Sequence, residues 1–279
     1  MGFTPHFSTV TAEGASPRAY ALVLHGILGA GGNWRTVARR VAAQRPEWGL
    51  VLVDLREHGR SRRAPPPHSV AAAAEDLDAV VGALPGPASV RAVIGHSFGG
   101  KVALAFRSRA GQILDQTWVM DASPSAREED VAPPASVERV LELLESMPAR
   151  FSHRDEFVSE VKRQGFSEML GAWLAMNLVP AGGGVELALD LGAIRSLLSD
   201  HMARDAWPEA EDEGAPGELH FVVGERSDAL SAGDRERLAS LARAMPGRAF
   251  VHRVDAGHWL HVEALDDVVA LLSSSLFGP

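Results

Sequence analysis

Short runs of aliphatic and β-branched residues alternate with amphipathic stretches through the first half of the chain. That alternation builds a mostly parallel sheet covered by helices on both faces. Four runs predict buried strands: Tyr20 to Leu24, Leu50 to Val53, Val90 to Ile94 and Thr117 to Met120. Between them Trp34, Val37 and Val41 recur at helical spacing, as do Val70, Ala73, Ala74, Leu77, Val80 and Val81 behind the candidate N-cap Ser69. Two further strands, Leu219 to Val223 and Ala249 to Val254, flank a helix carrying Leu238, Leu241, Ala242 and Met245. A last helix holds Leu265, Val268, Val269 and Leu272.

From about Ser123 to Gly217 the alternation stops, and the pattern predicts several helices with no convincing strand. Val137, Val140, Leu141 and Leu144 form one apolar stripe, and Phe166, Met169, Leu170, Trp173 and Asn177 another. Pro180 with Gly182, Gly183 and Gly184 reads as a flexible break, and the acidic stretch Pro208 to Gly217 as a return linker. The expected division is a core over residues 1–122, a helical cap over 123–217, and the rest of the core over 218–279.

The length of 279 residues buries a sizeable core without metal or disulfide. The absence of cysteine rules out a thiol nucleophile and cysteine-based metal sites. A net charge of −9 with no dense basic stripe argues against nucleic acid or an anionic membrane as the main partner. No apolar run reaches the roughly 20 residues a spanning helix needs, and the N-terminus lacks the pattern of a secretory signal. The expectation is a soluble, cytoplasmic chain, monomer or homodimer, acting on a small molecule without cofactor or metal.

The run Gly95-His96-Ser97-Phe98-Gly99-Gly100 follows a predicted strand and opens a helix-compatible stretch from Lys101 to Phe106. A serine on such a turn must hold strained backbone angles, and small residues two before and two after it relieve the crowding. Ser97 is therefore the candidate nucleophile. The amide of Phe98, at the helix N-terminus, is one candidate oxyanion donor. The same run approaches a phosphate-binding loop through Gly95, Gly100 and Lys101, but Val102 stands where that motif needs a hydroxyl for magnesium.

An acyl-transfer serine also needs a base, an acid that orients it and a second oxyanion donor. His25-Gly26-Ile27-Leu28-Gly29 follows the first buried run, and the amide of Ile27 is the second donor expected. His258, on the loop between the last strand and the last helix, is the candidate base. Asp228, after the strand Leu219 to Val223, is the favoured acid, with Asp121 at the end of Thr117 to Met120 as the alternative. Asp54 and Arg56, in a polar turn after the second run, are expected to tie loops together. His25, Met169, Trp173, Met176 and Trp259 are candidate substrate-pocket residues.

The elbow, the His25 turn with Asn33, the stretch Asp54-Leu55-Arg56 with His58, Gly59 and Ser61, and Asp121-Ala122-Ser123-Pro124 together resemble the small abhydrolase-domain esterases of the α/β-hydrolase superfamily. That resemblance covers nearly the whole chain. It implies an eight-stranded, mostly parallel sheet with a helical cap inserted after the sixth strand. It also implies hydrolysis of carboxylic esters or thioesters without a cofactor. Some members of that branch lack an aspartate after the seventh strand, which keeps Asp121 open as the acid. The same triad serves acyltransferases and perhydrolases, and a hydrolase fold also serves as a non-catalytic binding module; either is an alternative reading.

Overall fold

The computed structural model describes residues 2–85, 89–109, 114–127 and 137–276. Seven strands form the main sheet: β1 (Phe7–Val10), β2 (Ala19–Leu24), β3 (Trp48–Val53), β4 (Ser89–His96), β5 (Gln116–Met120), then, beyond the inserted segment, β9 (Glu218–Gly224) and β10 (Ala249–Val254). Their spatial order is β1-β3-β2-β4-β5-β9-β10. Only β1 runs antiparallel, pairing Phe7 with Val53 and Val10 with Leu50. Strands β2, β3 and β5 are buried along their whole length, as the continuous apolar runs require of a sheet covered on both faces.

The helices of the core are α1 (Arg35–Gln44), α2 (Val70–Ala83), α3 (Phe98–Arg107), α9 (Ala232–Ala244), α10 (Leu260–Glu263) and α11 (Leu265–Ser275). Ser69 caps α2 by accepting from the Ala72 amide at 3.1 Å. One apolar cluster joins Trp34, Val37 and Val41 to Val268, Val269 and Leu272, so α1 and α11 share a face of the sheet. On the opposite face, Ala73, Leu77 and Val80 of α2 pack with Val102, Ala103 and Phe106 of α3.

Two expectations are corrected here. The described sheet has seven strands rather than eight, because residues 2–6 ahead of the edge strand are irregular. The insertion consequently follows the fifth strand of this sheet in chain order.

Between β5 and β9 lie α4 (Val137–Ser146), α5 (Arg154–Arg163), α6 (Glu168–Leu174), α7 (Leu191–Ala203) and α8 (Trp207–Ala210). This segment also contains strands, contrary to expectation: β6 (Arg150–Phe151), β7 (Leu178–Ala181) and β8 (Gly184–Leu187) form a small antiparallel sheet in the order β6-β8-β7. Gly182 and Gly183, at φ +54° and +87°, are the two-residue loop of the β7–β8 hairpin. Two consecutive positive φ angles are what such a tight turn demands, and glycine meets that demand without strain.

Candidate active site

The parallel strands share one carboxyl edge, the place where open α/β sheets gather ligand-binding groups. His25 follows β2, Ser97 follows β4, Asp121 follows β5, Ser227 and Asp228 follow β9, and His258 follows β10. Residues scattered over more than 230 positions of sequence thus meet at one edge.

Ser97 sits on the turn between β4 and α3 with φ 53° and ψ −117°, outside the comfortable regions for an L-residue. The surrounding glycines make this geometry possible. A Cβ on Gly95 would lie 2.0 Å from the Gly99 carbonyl oxygen, and one on Gly99 would lie 2.7 Å from the carbonyl oxygens of both Leu24 and His25. Strand, elbow and the turn after β2 are packed backbone against backbone, leaving no room for a side chain. Phe98 is the first residue of α3, and the leading amides of a helix have no partner within it.

His258 Nδ1 lies 2.7 Å from Asp121 Oδ2. A carboxylate only accepts, so Nδ1 carries a proton, and in the neutral ring the lone pair is therefore on Nε2. Asp121 is fully buried and accepts two further bonds, from Ser227 Oγ to Oδ2 at 2.5 Å and from the Gly224 amide to Oδ1 at 2.9 Å. Its backbone stands at φ 48°. The favoured partner of the histidine, Asp228, is not in this arrangement: it is exposed, and Asp121 takes the place beside His258. The physical reason is local. Ser227 turns inward to fill the place beside Asp121, and its next neighbour in the chain turns outward.

The loop bearing His258 is held from below by His96, whose Nε2 donates to the His258 carbonyl at 2.8 Å. Burial and the neighbouring imidazoles of His258 and His261 push the His96 pKa well down, keeping it neutral. His261 stacks on Trp34 at 4.8 Å, with its pKa lowered to about 4 mainly by burial.

Two more buried histidines shape the turn that follows β2. His25 Nε2 accepts from the Leu55 amide at 2.9 Å while its Nδ1 donates to the Gly26 carbonyl at 2.7 Å. His58 Nε2 accepts from the Leu28 amide at 2.9 Å and its Nδ1 donates to the Arg56 carbonyl at 2.8 Å. Both rings therefore act as neutral braces. Burial lowers both pKa values, that of His58 to about 3. Leu28, at φ 62°, is fixed from both sides, since its carbonyl accepts from Asn177 Nδ2 at 2.9 Å. Asp54 ties loops, as expected, accepting from the amides of Gly31 and Arg60 at 2.8 and 2.9 Å. Arg56 is fixed by both carboxylate oxygens of Asp76.

A cavity of about 260 Å³ opens over Ser97 and His258. Ile27 lines it, as do Met169 and Trp173 from α6 and Trp259 beside the histidine. Trp173 meets Trp259 edge to face at 4.6 Å, so the inserted segment covers the loop that carries the imidazole. His25 lines the cavity too, with both ring nitrogens already committed to backbone. Met176 does not line it. Its sulfur accepts from Asn33 Nδ2 at 3.4 Å, and the side chain faces a neighbouring groove. Among the described residues no group of three His, Asp or Glu side chains is arranged to hold a metal ion.

Sequence reasoning missed Ser227 and Asn177, which carry no motif of their own. It placed Lys101 at the start of the helix after the elbow, in the motif that carries the family resemblance and in a failed phosphate-loop match, with no role of its own. In the fold, Lys101 Nζ donates to the carbonyls of Ser125, His201 and Arg204 at 2.8, 2.7 and 2.6 Å, pinning the end of α7 to the helix that follows the elbow.

Residues 21–271 match the model of the alpha/beta hydrolase family. Over 259 residues the chain is 27% identical to the sn-1-specific diacylglycerol lipase ABHD11 of Mus musculus, covering 91% of this chain and 79% of that one. The protein of the same name from Xenopus tropicalis is 26% identical over 265 residues, covering 91% and 77%. Among solved structures, a marine microorganism esterase superposes with a TM-score of 0.81 at 22% identity, over 99% of this chain and all of that one. A thioesterase domain from the curacin biosynthetic pathway gives 0.69 at 23%, over 98% of this chain and 100% of that domain. At such identities these two speak for the fold.

Proposed function

Because this chain belongs to the alpha/beta hydrolase family, we propose that it is a serine hydrolase that cleaves carboxylic ester or thioester bonds of small substrates with an apolar acyl group. The observation that carries this reading is the 2.7 Å contact between His258 and the buried Asp121, with Ser97 and His258 lining one cavity. Ser97 Oγ attacks the carbonyl carbon while His258 Nε2 takes its proton. Asp121 holds the ring in the required tautomer and stabilises the imidazolium that forms. The amides of Ile27 and Phe98 bind the oxyanion of the tetrahedral intermediate. The imidazolium then protonates the leaving oxygen or sulfur, and a water activated by the same histidine releases the acid. The apolar walls supplied by Met169, Trp173 and Trp259 suit an acyl chain. The lipase relatives from mouse and frog lend support at the level of ester cleavage.

A fluorophosphonate probe tests the nucleophile. Wild type labels stoichiometrically and Ser97→Ala does not; an unlabelled wild type, or equal labelling of the variant, contradicts the proposal.

A further inference from the structure

A groove of about 360 Å³ runs between the loops that follow β2 and β3 and the β7–β8 hairpin. It adjoins the catalytic cavity through touching residues. Leu28 and Asn33 line the cavity, and Met176 and Asn177 line the groove. Asn33 Nδ2 donates to the Met176 sulfur at 3.4 Å, and Asn177 Nδ2 to the Leu28 carbonyl at 2.9 Å.

The charge of this groove is the reverse of the chain's. Against a net −9 for the whole sequence, it gathers the guanidiniums of Arg35, Arg60 and Arg62. Among the described residues none of the three is paired with a carboxylate. Arg62 Nε donates to the Gly59 carbonyl at 2.9 Å, Arg35 reaches only Ser8 Oγ, at 3.5 Å, and the Arg60 side chain has no partner. The lining holds a single carboxylate, Asp54, which faces His6 Nδ1 at 3.1 Å and accepts from the amides of Gly31 and Arg60. Three guanidiniums around one concavity attract an anion with several oxygens, and a phosphate ester meets their planar forks.

The catalytic cavity fixes what else such a ligand must be. The apolar walls at Met169, Trp173 and Trp259 are taken by the acyl group. A substrate that reacts at Ser97 and also reaches the arginines must pass Leu28 and Asn33, so its charge stands at the far end of a long leaving group.

We propose that the groove holds the phosphate end of such a leaving group, and that the substrates are acyl thioesters of the coenzyme A kind, in which a pantetheine arm ends in a phosphorylated nucleotide. The inference rests on the hydrolase reading above and selects thioester over simple ester within it. Binding energy from a remote part of the substrate then serves the reaction at the carbonyl.

Hexanoyl-CoA and hexanoyl-pantetheine present one thioester with and without phosphates. Wild type is expected to favour hexanoyl-CoA by about tenfold in kcat/KM, mostly through KM, because partly exposed arginine–phosphate contacts give a few-fold each. The preference shrinks as sodium chloride rises from about 0.02 to about 0.5 M. The double variant Arg60→Gln, Arg62→Gln lowers the ratio several-fold, whereas Arg60→Lys, Arg62→Lys retains most of it. Calorimetry with adenosine 3′,5′-bisphosphate, the charged end alone, shows binding to wild type and weaker binding to the glutamine double variant. Equal kcat/KM for the two thioesters, or a ratio that neither salt nor the arginine variants move, overturns the inference. Hydrolysis of p-nitrophenyl hexanoate separates the two levels. If wild type cleaves it and treats both thioesters alike, only the groove inference falls. If wild type cleaves none of the three, the hydrolase reading falls, and the calorimetric comparison alone decides whether the groove binds phosphate.

Discussion

Asp121 is buried, carries an unusual backbone angle and receives three hydrogen bonds, from His258, Ser227 and the Gly224 amide. A carboxylate held this way keeps its direction. Asp121→Asn is expected to lower kcat on p-nitrophenyl esters by about three orders of magnitude, since the amide favours the wrong tautomer of His258. The loss exceeds that of Asp228→Asn by at least about a hundredfold; comparable losses in the two variants contradict the assignment. In the proposed mechanism Ser227 is a positioning residue, acting through its hydrogen bond to Asp121. Removing one neutral hydroxyl from a buried network is worth about 1 kcal/mol. Ser227→Ala is therefore expected to lower kcat several-fold with KM unchanged and Ser227→Thr to restore it, as steady-state kinetics will read.

The choice between the two aspartates marks the limit of what the sequence discloses at this scale. The strained turn at Ser97 is legible because its requirements are local: a strand, a helix and glycines at fixed offsets. The carboxylate that reaches His258 is not set locally. Asp121 and Asp228 both follow strands of the same edge, and Ser227, one position earlier, decides which of them reaches His258. That packing outcome leaves no trace in spacing.

Among the elements, the elbow and the turn after β2 form one unit. The contacts that a Cβ on Gly95 would make with Gly99 and Gly100 backbone, at 2.0 to 2.8 Å, cannot be relieved by moving a side chain. Gly95→Ala is expected to displace the turn and reduce activity by more than about a hundredfold, with a lowered melting temperature. Retention of wild-type rates contradicts this packing. His25, His58, His96 and His261 brace the surrounding loops as neutral rings, each with a pKa held below the usual value chiefly by burial. In that state the folded chain binds fewer protons than the unfolded one once the pH drops below about 6.5. Stability is thus fully present above that pH and is lost as the pH falls towards the folded values, about 3 for His58 and about 4 for His261. Chemical denaturation between pH 7 and 4.5 is expected to show a falling midpoint, with a shallower dependence in His58→Gln. An unaltered slope in that variant removes His58 from the explanation.

The β7–β8 hairpin shows why part of the inserted segment escaped sequence reading. Strands of four residues with mixed exposure give little periodicity, and the glycine pair between them resembles a break as much as a turn. The consecutive glycines were the available signal, because a two-residue loop with positive φ at both positions favours them.

At the scale of the molecule, polar contacts between residues remote in sequence join the core sheet and the inserted segment. Asn177 reaches Leu28, Asp200 accepts from the Val70 amide at 2.7 Å, and Lys101 gathers the carbonyls at the end of α7. Burial, with Arg127 and Arg204 nearby, lowers the Lys101 pKa to about 8. Replacing this side chain by methionine keeps its length and strips three carbonyls of their donor. Lys101→Met is expected to destabilise the fold by about 2–4 kcal/mol, which calorimetry reads as a melting temperature lower by several degrees. Among the described residues no helix is long and apolar enough to cross a membrane. The general architecture was legible because buried parallel strands advertise themselves as apolar runs. How the inserted segment docks depends on single side chains such as Lys101 and Asn177, whose partners are remote in sequence.

The central claim is that Ser97 carries the acyl group between two halves of one reaction. Rapid quenching of the enzyme with p-nitrophenyl hexanoate, followed by mass spectrometry of the peptide that contains position 97, tests it most directly. The account predicts a hexanoyl adduct on Ser97 in wild type, no adduct in Ser97→Ala and slower formation in Asp121→Asn. An adduct on another residue, or undiminished ester cleavage by Ser97→Ala, contradicts it.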